Sequence, residues 1–331
     1  MIYAHFYRKK LCFACTVDPS RSNMKKGINF FMPTGIRSKI FKFIWKCQFV
    51  VGFFKMVKVY DEKLESKLKS ISSILHEKGF TTRDILFLFP MDETSKRIYF
   101  QTRENGIKLF WKAVFDEDNQ KRLFSEFDAL QSLTNMSDIS FTVSEPRHFI
   151  TQGNICLSAF VYKDINSKVE LSGNQERILV KSFTSFNQIE TEQIDIKNSS
   201  WWDDSFQEYI PQEIQLNEIE TGWAHGDLSA QNVAYNDNDL HVIDWEDFTK
   251  DAPIYTDVVR YFTSVEKQRL RGAVRASVVG NLIKHTKVSI KDLCAISIFL
   301  ISKSSPNKVN LIGFYLNNCI KAYIIEKGKT S

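Results

Sequence analysis

Three polar residues in the second half of the chain have the types and spacing that phosphoryl transfer needs. Asp227 and Asn232 lie five residues apart in residues 223–232, which read WAHGDLSAQN, and Asp244 follows in residues 241–247, HVIDWED. Phosphoryl transfer needs a carboxylate to orient the attacking hydroxyl and accept its proton, and oxygen ligands to place Mg²⁺ on the phosphates. The segment therefore offers a carboxylate, an amide oxygen and a second carboxylate for one site.

A short hairpin is predicted between Asn232 and Asp244. Residues 233–235 and 240–243 are apolar enough for two strands, and residues 236–238, Asn-Asp-Asn, form the turn between them. Such a hairpin returns the Asp244 carboxylate toward the segment that carries Asp227. The competing interpretation is that these are turn-forming Asp and Asn residues. That interpretation accounts for each residue separately but not for the set.

The elements that must position these residues begin with a predicted helix, in which Leu64, Leu68, Ile71 and Leu75 form one apolar face. After this helix, the spacing of the apolar residues changes from that of a helix to that of strands. An Asn105-Gly106 turn indicates a hairpin between two of these strands. The predicted order is strand, strand, strand, helix, strand, strand, at 85–89, 97–102, 108–115, 119–133, 141–143 and 155–161.

Lys112 and Glu126 become informative in that order of elements. A Lys that points from a strand into a cleft can hold the α- and β-phosphates of a nucleotide, and a Glu on the next helix can fix that Lys. Taken alone, both residues would be read as ordinary solvated charges, which most Lys and Glu are. Further along, a polar linker is predicted at 163–220, and helices at 256–273, 276–285, 289–303 and 307–326.

Taken together, these motifs resemble the aminoglycoside phosphotransferase and choline kinase-like family. Its H-G-D-x-x-x-x-N loop and the I-D-W-E that follows occur here at 225–232 and 243–246, and the match continues through 251–262. The resemblance implies a role for each of several residues. These are Asp227 as catalytic base, Asn232 and Asp244 as Mg²⁺ ligands, His225 and Asp257 as structural supports of the loop, Lys112 and Glu126 as the nucleotide-positioning ion pair, and Phe160 and Val161 in the hinge that meets adenine.

The family fold implied is α+β and protein-kinase-like, with two lobes around a cleft. The small antiparallel-sheet N-lobe would span 59–162 and bind nucleotide, and the mainly helical C-lobe would span 163–331. The activity implied is transfer of the γ-phosphoryl group of ATP, with Mg²⁺, to a hydroxyl of a small molecule or sugar. Glu246 and Asp247 directly follow the metal-binding segment, and their charge suits a cationic acceptor.

One departure from the family pattern concerns the loop at 92–96, Asp-Glu-Thr-Ser-Lys, which contains no glycine. Kinases usually cover the phosphates with a glycine-rich loop, and Ser95 or nearby backbone amides would replace that contact here. This departure leaves open a pseudokinase that binds nucleotide without turnover. A metal-dependent phosphohydrolase is a second alternative, with His225 and His241 as ligands, and Asn232 is a poor ligand for it.

Charge is distributed unevenly along the 331 residues. Residues 1–58 hold 12 Lys and Arg against one acid, Asp18, so 32 basic and 38 acidic residues remain in 59–331. A mildly acidic body argues against a nucleic-acid-binding surface, which needs a clustered positive field. Six scattered cysteines do not form a disulfide framework, and free thiols indicate a reducing compartment, so the cytoplasm is expected.

The basic segment 1–58 has three interpretations. Residues 38–57 have the pattern of a basic amphipathic helix, which predicts peripheral contact with the inner face of a membrane. The other two are a poorly ordered tail and a translation start at Met56. The longest uncharged run, 47–54, is far short of the ~20 residues that span a bilayer.

Overall fold

The structure is a computed structural model that describes residues 2–7, 10–16, 24–25, 28, 36–51, 56–81, 85–89, 97–162, 171–236, 239–304 and 310–328. It contains two compact units. The N-terminal unit comprises Met1–Phe127 and Glu145–Lys163, and the C-terminal unit comprises Asp128–Ser144 and Asp164–Ser331. The predicted α+β class is confirmed, because the first unit is built on an antiparallel sheet and the second is mainly helical.

The sheet of the N-terminal unit has eight described strands, and every neighbouring pair is antiparallel. The strands are β1 (Ile2–Tyr7), β2 (Lys10–Cys15), β3 (Val57–Val59), β4 (Phe87–Leu88), β5 (Arg97–Glu104), β6 (Ile107–Val114), β8 (Pro146–Gln152) and β9 (Ile155–Val161). Their order in the sheet is β3-β1-β2-β4-β5-β6-β9-β8.

The hairpin β5–β6 is confirmed at the predicted turn. Asn105 and Gly106 both have positive φ, 49° and 84°, which a two-residue type I′ turn requires. The turn sets the register, in which Glu104 pairs with Ile107 and Tyr99 pairs with Lys112. Alternate residues of β5 are buried, so one face of this hairpin contributes to the core of the unit.

Described segments of the first 58 residues take part in this sheet, whereas a separate extension was predicted. Strands β1 and β2 form a hairpin, β2 pairs with β4, and β1 pairs with β3. Helix α1 (Ile36–Val50) lies in the same segment, and its Trp45 is buried beside Cys12, Leu86 and Leu88. Alternating apolar residues such as Ile2 and Ala4, both fully buried, carried the strand signal that the basic composition obscured.

Two helices complete the described N-terminal unit. Helix α2 (Glu62–Glu77) starts at Asp61, whose side chain accepts a hydrogen bond from the Leu64 N–H at 3.0 Å. Its buried Leu68, Ile71 and Leu75 pack in the same core as the sheet, as the predicted apolar face requires. Helix α3 (Glu117–Thr134) lies between β6 and β8 in the chain and carries Glu126, and its residues after Phe127 belong to the C-terminal unit. None of the described helices is long and apolar enough to cross a membrane.

The C-terminal unit contains five described helices and two three-stranded sheets. The helices are α4 (Gly173–Asn187), α5 (Thr256–Arg269), α6 (Ala276–Thr286), α7 (Ile290–Ser302) and α8 (Leu311–Gly328). One sheet has the order β10 (Glu192–Asp195), β11 (Glu218–Ala224) and β14 (Thr249–Pro253), and the other has β12 (Val233–Asn236), β13 (Asp239–Val242) and β7 (Thr142–Val143). Helices α7 and α8 are core helices, as predicted.

Helix α4 falls in the region predicted to be a polar linker. Ser172 and Gln175 form a capping box at its start. Leu179, Phe183 and Phe186 are fully buried on one face, and each such side chain stabilises the fold by roughly 1.5–3 kcal/mol. The prediction of a linker was therefore wrong over this stretch.

Candidate functional site

The central feature of the C-terminal unit is the loop His225–Asn232, here called the Asp227 loop. It leaves the end of β11, the middle strand of its sheet, and leads into β12. The last four residues of β11 are buried, so the strand gives the loop a rigid starting point. The loop contains every part of the predicted H-G-D-x-x-x-x-N motif.

A buried carboxylate holds the start of this loop. Asp257, in the first turn of α5, has no exposed surface. Its Oδ2 accepts the His225 N–H at 2.8 Å, and its Oδ1 accepts the Gly226 N–H at 3.0 Å. The Asn187 side-chain amide donates a third hydrogen bond to Oδ2 at 2.9 Å. Burial raises the pKa of Asp257, while the His225 ring and these three donors act in the opposite direction.

The His225 ring links the two halves of the motif. Its Nδ1 accepts the Asp227 N–H at 3.2 Å, which leaves Nε2 to carry the proton and donate to the Ile243 carbonyl at 3.0 Å. The ring is fully buried and packs against Trp245. One imidazole thus joins the backbone of the Asp227 loop to the residue that precedes Asp244.

Gly226 allows the two segments to approach closely. Its φ of 79° lies in the left-handed region, and a Cβ at this position would lie 2.2 Å from the Asp247 carbonyl oxygen. A side chain is therefore excluded on both conformational and steric grounds. The glycine of the motif brings the backbone of Asp247 directly against the loop.

Asn232 and Asp244 lie at the two ends of the predicted hairpin, which is confirmed as β12–β13. The Ile243 N–H donates to the Asn232 carbonyl at 3.0 Å, so the hairpin closes beside the loop. The Asn232 side-chain N–H donates to the Asp227 carbonyl at 2.9 Å, which turns its Oδ1 away from that bond. Asp244 is partly exposed and has a φ of 69°, a left-handed conformation that Asp tolerates better than most residues. An amide oxygen and a carboxylate are hard ligands that fit Mg²⁺.

Arg260 is the direct side-chain partner of Asp227. It lies on α5, one turn after Asp257, and its Nη2 forms an ion pair with Asp227 Oδ1. The two side chains are 10% and 26% exposed. Burial lowers the pKa of Arg260 to about 10, so the side chain stays protonated at neutral pH.

The predicted ion pair of the N-terminal unit is present. Lys112 Nζ lies 2.8 Å from both carboxylate oxygens of Glu126, and both side chains are buried. Lys112 belongs to β6 and Glu126 to α3, as the sequence indicated. The Phe160 ring lies 6.0 Å from Lys112 Nζ, within the range of a cation–π contact.

Two backbone amides of the predicted hinge donate hydrogen bonds to carbonyl groups within the protein. The Val161 N–H donates to the Glu145 carbonyl and the Tyr162 N–H donates to the Lys108 carbonyl, both at 2.8 Å. Adenine recognition through these two amides would require those bonds to open. Ser95, the predicted substitute for a glycine-rich loop, lies outside the described residues.

Two further residues of this site were not predicted. Asn187 ends α4 and joins β11 to α5, because its side-chain amide donates both to the Trp223 carbonyl at 2.7 Å and to Asp257. The capping box and apolar spacing of α4 could have located this helix from sequence. The pairing of Arg260 with Asp227 had no sequence signal, since it joins residues 33 positions apart.

No family model and no curated protein matches the sequence. Solved structures with a similar fold include a thermostable mutant of an aminoglycoside phosphotransferase in complex with AMP-PNP and hygromycin B, at 12% identity and a TM-score of 0.49, covering 79% of this chain and all of that one. A spectinomycin phosphotransferase in complex with ADP and spectinomycin is 14% identical, with a TM-score of 0.42, and the match covers 78% of this chain and 98% of that one. The microcompartment-associated aminopropanol kinase is 12% identical, with a TM-score of 0.44, and the match covers 79% of this chain and 98% of that one.

Proposed function

We propose that this protein transfers the γ-phosphoryl group of ATP to a hydroxyl group of a small molecule. The observation that carries the proposal is the fixed Asp227 loop. Asp257 and His225 hold its backbone, and the hairpin β12–β13 ends beside Asn232, two residues before Asp244. A carboxylate on a fixed loop, with an amide oxygen and a second carboxylate in the same motif, suits phosphoryl transfer, because the reaction depends on positioning and charge more than on covalent chemistry.

Each residue has a proposed role. Asp227 orients the acceptor hydroxyl and takes its proton. Asn232 Oδ1 and the Asp244 carboxylate would hold Mg²⁺, which neutralises charge on the phosphate oxygens when it is bound. Lys112, held by Glu126, would contact the α- and β-phosphates, and Phe160 and Val161 would lie near adenine. His225 and Asp257 keep the loop in place.

The charge around the loop supports a cationic acceptor, such as an amino alcohol or an amino sugar. Residues 190–257 contain 17 Asp and Glu but only two Lys and no Arg. An acidic surface raises the local concentration of a cationic substrate. Glu246 and Asp247 are partly exposed and follow Asp244 directly, so we propose them as acceptor-binding residues.

The test is ADP formation by the full chain with Mg²⁺-ATP and paired acceptors, each pair an amino alcohol or amino sugar and its neutral hydroxyl analogue. We expect turnover that depends on the acceptor, favours the cationic member and disappears in Asp227→Asn. Asp239→Asn, an exposed carboxylate on β13, is the matched control and should keep full activity. Nucleotide binding without turnover for any acceptor would favour the pseudokinase, and absence of nucleotide binding would refute the proposal.

We further propose that the enzyme works in the cytoplasm and contacts the membrane surface through residues 38–57. Helix α1 exposes Phe43 and Ile44, which are 67% and 39% accessible, close to the exposed Lys46. Apolar and basic side chains together favour anionic bilayers. Flotation with vesicles containing phosphatidylserine tests this, and equal recovery with neutral vesicles would contradict it.

A further inference from the structure

The Asp227 loop and the segment after it are rich in acidic residues and contain no basic residue of their own. Residues 223–247 include six Asp and Glu and contain neither Lys nor Arg. Asp227 must nevertheless keep one orientation while a phosphoryl group, itself anionic, is transferred beside it. Neighbouring like charges disfavour an ionised carboxylate, and a fixed cation beside it offsets that effect.

Helix α5 holds the loop at two points one turn apart. Asp257 and Arg260 are three positions apart in the sequence, so they lie on the same face of the helix. Asp257 binds the backbone N–H groups of His225 and Gly226, and Arg260 binds the side chain of Asp227. The first contact fixes where the loop runs, and the second fixes where its carboxylate points.

Arg260 has the features of a residue kept for this contact. Its side chain is buried, and its Nε and Nη1 atoms are buried without a hydrogen-bond partner among the residues that the structure describes. Leaving buried cationic donors unpaired is unfavourable. An arginine with a purely structural role would be expected to use those donors, whereas here Asp227 is the partner that the described residues provide for the guanidinium.

We propose that Arg260 is a positioning residue for Asp227, orienting its carboxylate toward the acceptor hydroxyl and supplying the positive charge that residues 223–247 lack. This inference rests on the proposed phosphotransferase function. It assigns Arg260 to the chemical step and predicts that nucleotide binding does not depend on it, since Lys112 and Glu126 lie in the other unit.

The experiment measures kcat and the KM for ATP in the full chain for Arg260→Lys, Arg260→Met and Arg260→Ala. Arg269→Ala is the matched control, an exposed arginine of the same helix that pairs with Glu266. We expect kcat to fall about 100-fold in Arg260→Met, with the KM for ATP changed by less than about threefold. Arg260→Lys should recover part of the loss, and Arg269→Ala should match the wild type.

Chemical rescue separates positioning from a structural role. Guanidinium at millimolar concentration should raise kcat of Arg260→Ala at least about tenfold, because it can occupy the space that the side chain leaves. It should not rescue Arg260→Met, where the space is filled, nor Asp227→Asn. Thermal melting of each variant reports folding, and Arg260→Lys keeps the test valid if Arg260→Met does not fold.

Three outcomes are decisive. If Arg260→Met keeps kcat within about threefold of the wild type, the inference is wrong while the proposed function stands. If kcat and nucleotide affinity fall together with the melting temperature and guanidinium restores nothing, Arg260 is structural. If the wild-type chain turns over none of the acceptors, the proposed function itself fails, and the assignment of Arg260 fails with it.

Discussion

At the scale of single residues, the site depends on one buried carboxylate with three hydrogen-bond donors. Two of the donors to Asp257 are backbone N–H groups of the Asp227 loop, and the third is the Asn187 side chain. Because Asn187 also donates to the Trp223 carbonyl, a single side-chain amide ties together α4, β11 and α5. Buried hydrogen-bond networks of this kind restrict a loop to one conformation.

Replacing Asn187 by alanine should damage the site more than the fold. The change leaves a buried carbonyl and one oxygen of Asp257 short of a donor, which is expected to cost about 2–4 kcal/mol in the free energy of unfolding. Turnover should fall at least about tenfold, since Asp257, which binds the backbone of the loop, loses the hydrogen bond from Asn187. Urea unfolding and ADP formation measure the two effects.

Asn317→Ala provides the control for that variant. Asn317 is equally buried, and its side-chain amide also donates to a backbone carbonyl, that of Tyr209, and to Ser297. We expect a similar loss of stability with turnover retained. Equal losses of turnover in both variants would mean that the network affects activity only through global stability.

Sequence reasoning predicted the residues of the loop and, through the resemblance, His225 and Asp257 as its supports, but it did not predict Asn187 or Arg260. Asp227, Asn232 and Asp244 were recognisable because their spacing is local and a hairpin brings them together. Asn187 and Arg260 act through contacts across 70 and 33 positions of the chain, and no local period encodes such a pairing. The role of Asp257 followed from the resemblance, while its three donors could be seen only in the structure.

At the scale of elements, the geometry of the candidate site is set by the close approach of the Gly226 and Asp247 backbones. The segment after β13 touches the Asp227 loop at Gly226, and the left-handed φ at this glycine makes the contact possible. The elements themselves were largely predictable, because β5–β6 and β12–β13 have strong turn signals, α2 has a clear apolar face, and α7 and α8 are strongly apolar. Helix α4 was missed because flanking polar residues masked its apolar positions.

Gly226→Ala should abolish turnover, because the added Cβ would meet the Asp247 carbonyl at 2.2 Å. Gly106→Ala is the matched control, since Gly106 has nearly the same φ, 84°, and no atom lies within 4 Å of the corresponding Cβ. The control should lose about 1–2 kcal/mol of stability and keep its activity. Both variants place alanine at a positive φ, but only Gly226→Ala introduces a steric contact. Comparing their melting temperatures and rates of ADP formation therefore separates the effect of that contact from the effect of the backbone conformation. Activity in Gly226→Ala near that of Gly106→Ala would argue against a tightly fixed loop.

At the scale of the whole molecule, strands β1 and β2 from the described part of the N-terminal 58 residues contribute to the sheet of the first unit. Ile2, Ala4 and Ala14 are fully buried in the core that also contains Phe100 and Trp111. Composition indicated a basic extension because Lys and Arg dominate the count. A residue count does not show the order of residues along the chain. In β1 and β2, buried apolar residues occur at alternate positions, which is the period of a strand.

Helix α1 therefore has two faces with different expected roles, and paired substitutions distinguish them. Trp45 is 5% exposed, packs edge-on against His5 at 4.6 Å between ring centroids and belongs to a buried cluster with Leu86 and Leu88. Trp45→Ala should lower the free energy of unfolding by about 3–5 kcal/mol through the cavity it leaves. Phe43→Ala, at a site 67% exposed, should change stability by less than about 0.5 kcal/mol.

The same pair tests whether the first 58 residues belong to the folded unit. If they do, Trp45→Ala lowers the midpoint of urea unfolding for the whole N-terminal unit, because β2 connects α1 to β4 and so to the strand that carries Lys112. Nucleotide affinity should then weaken at temperatures near the new melting point and stay unchanged well below it. If Trp45→Ala and Phe43→Ala unfold at the same denaturant concentration as the wild type, the segment is an appendage, and the proposed membrane contact becomes its main role.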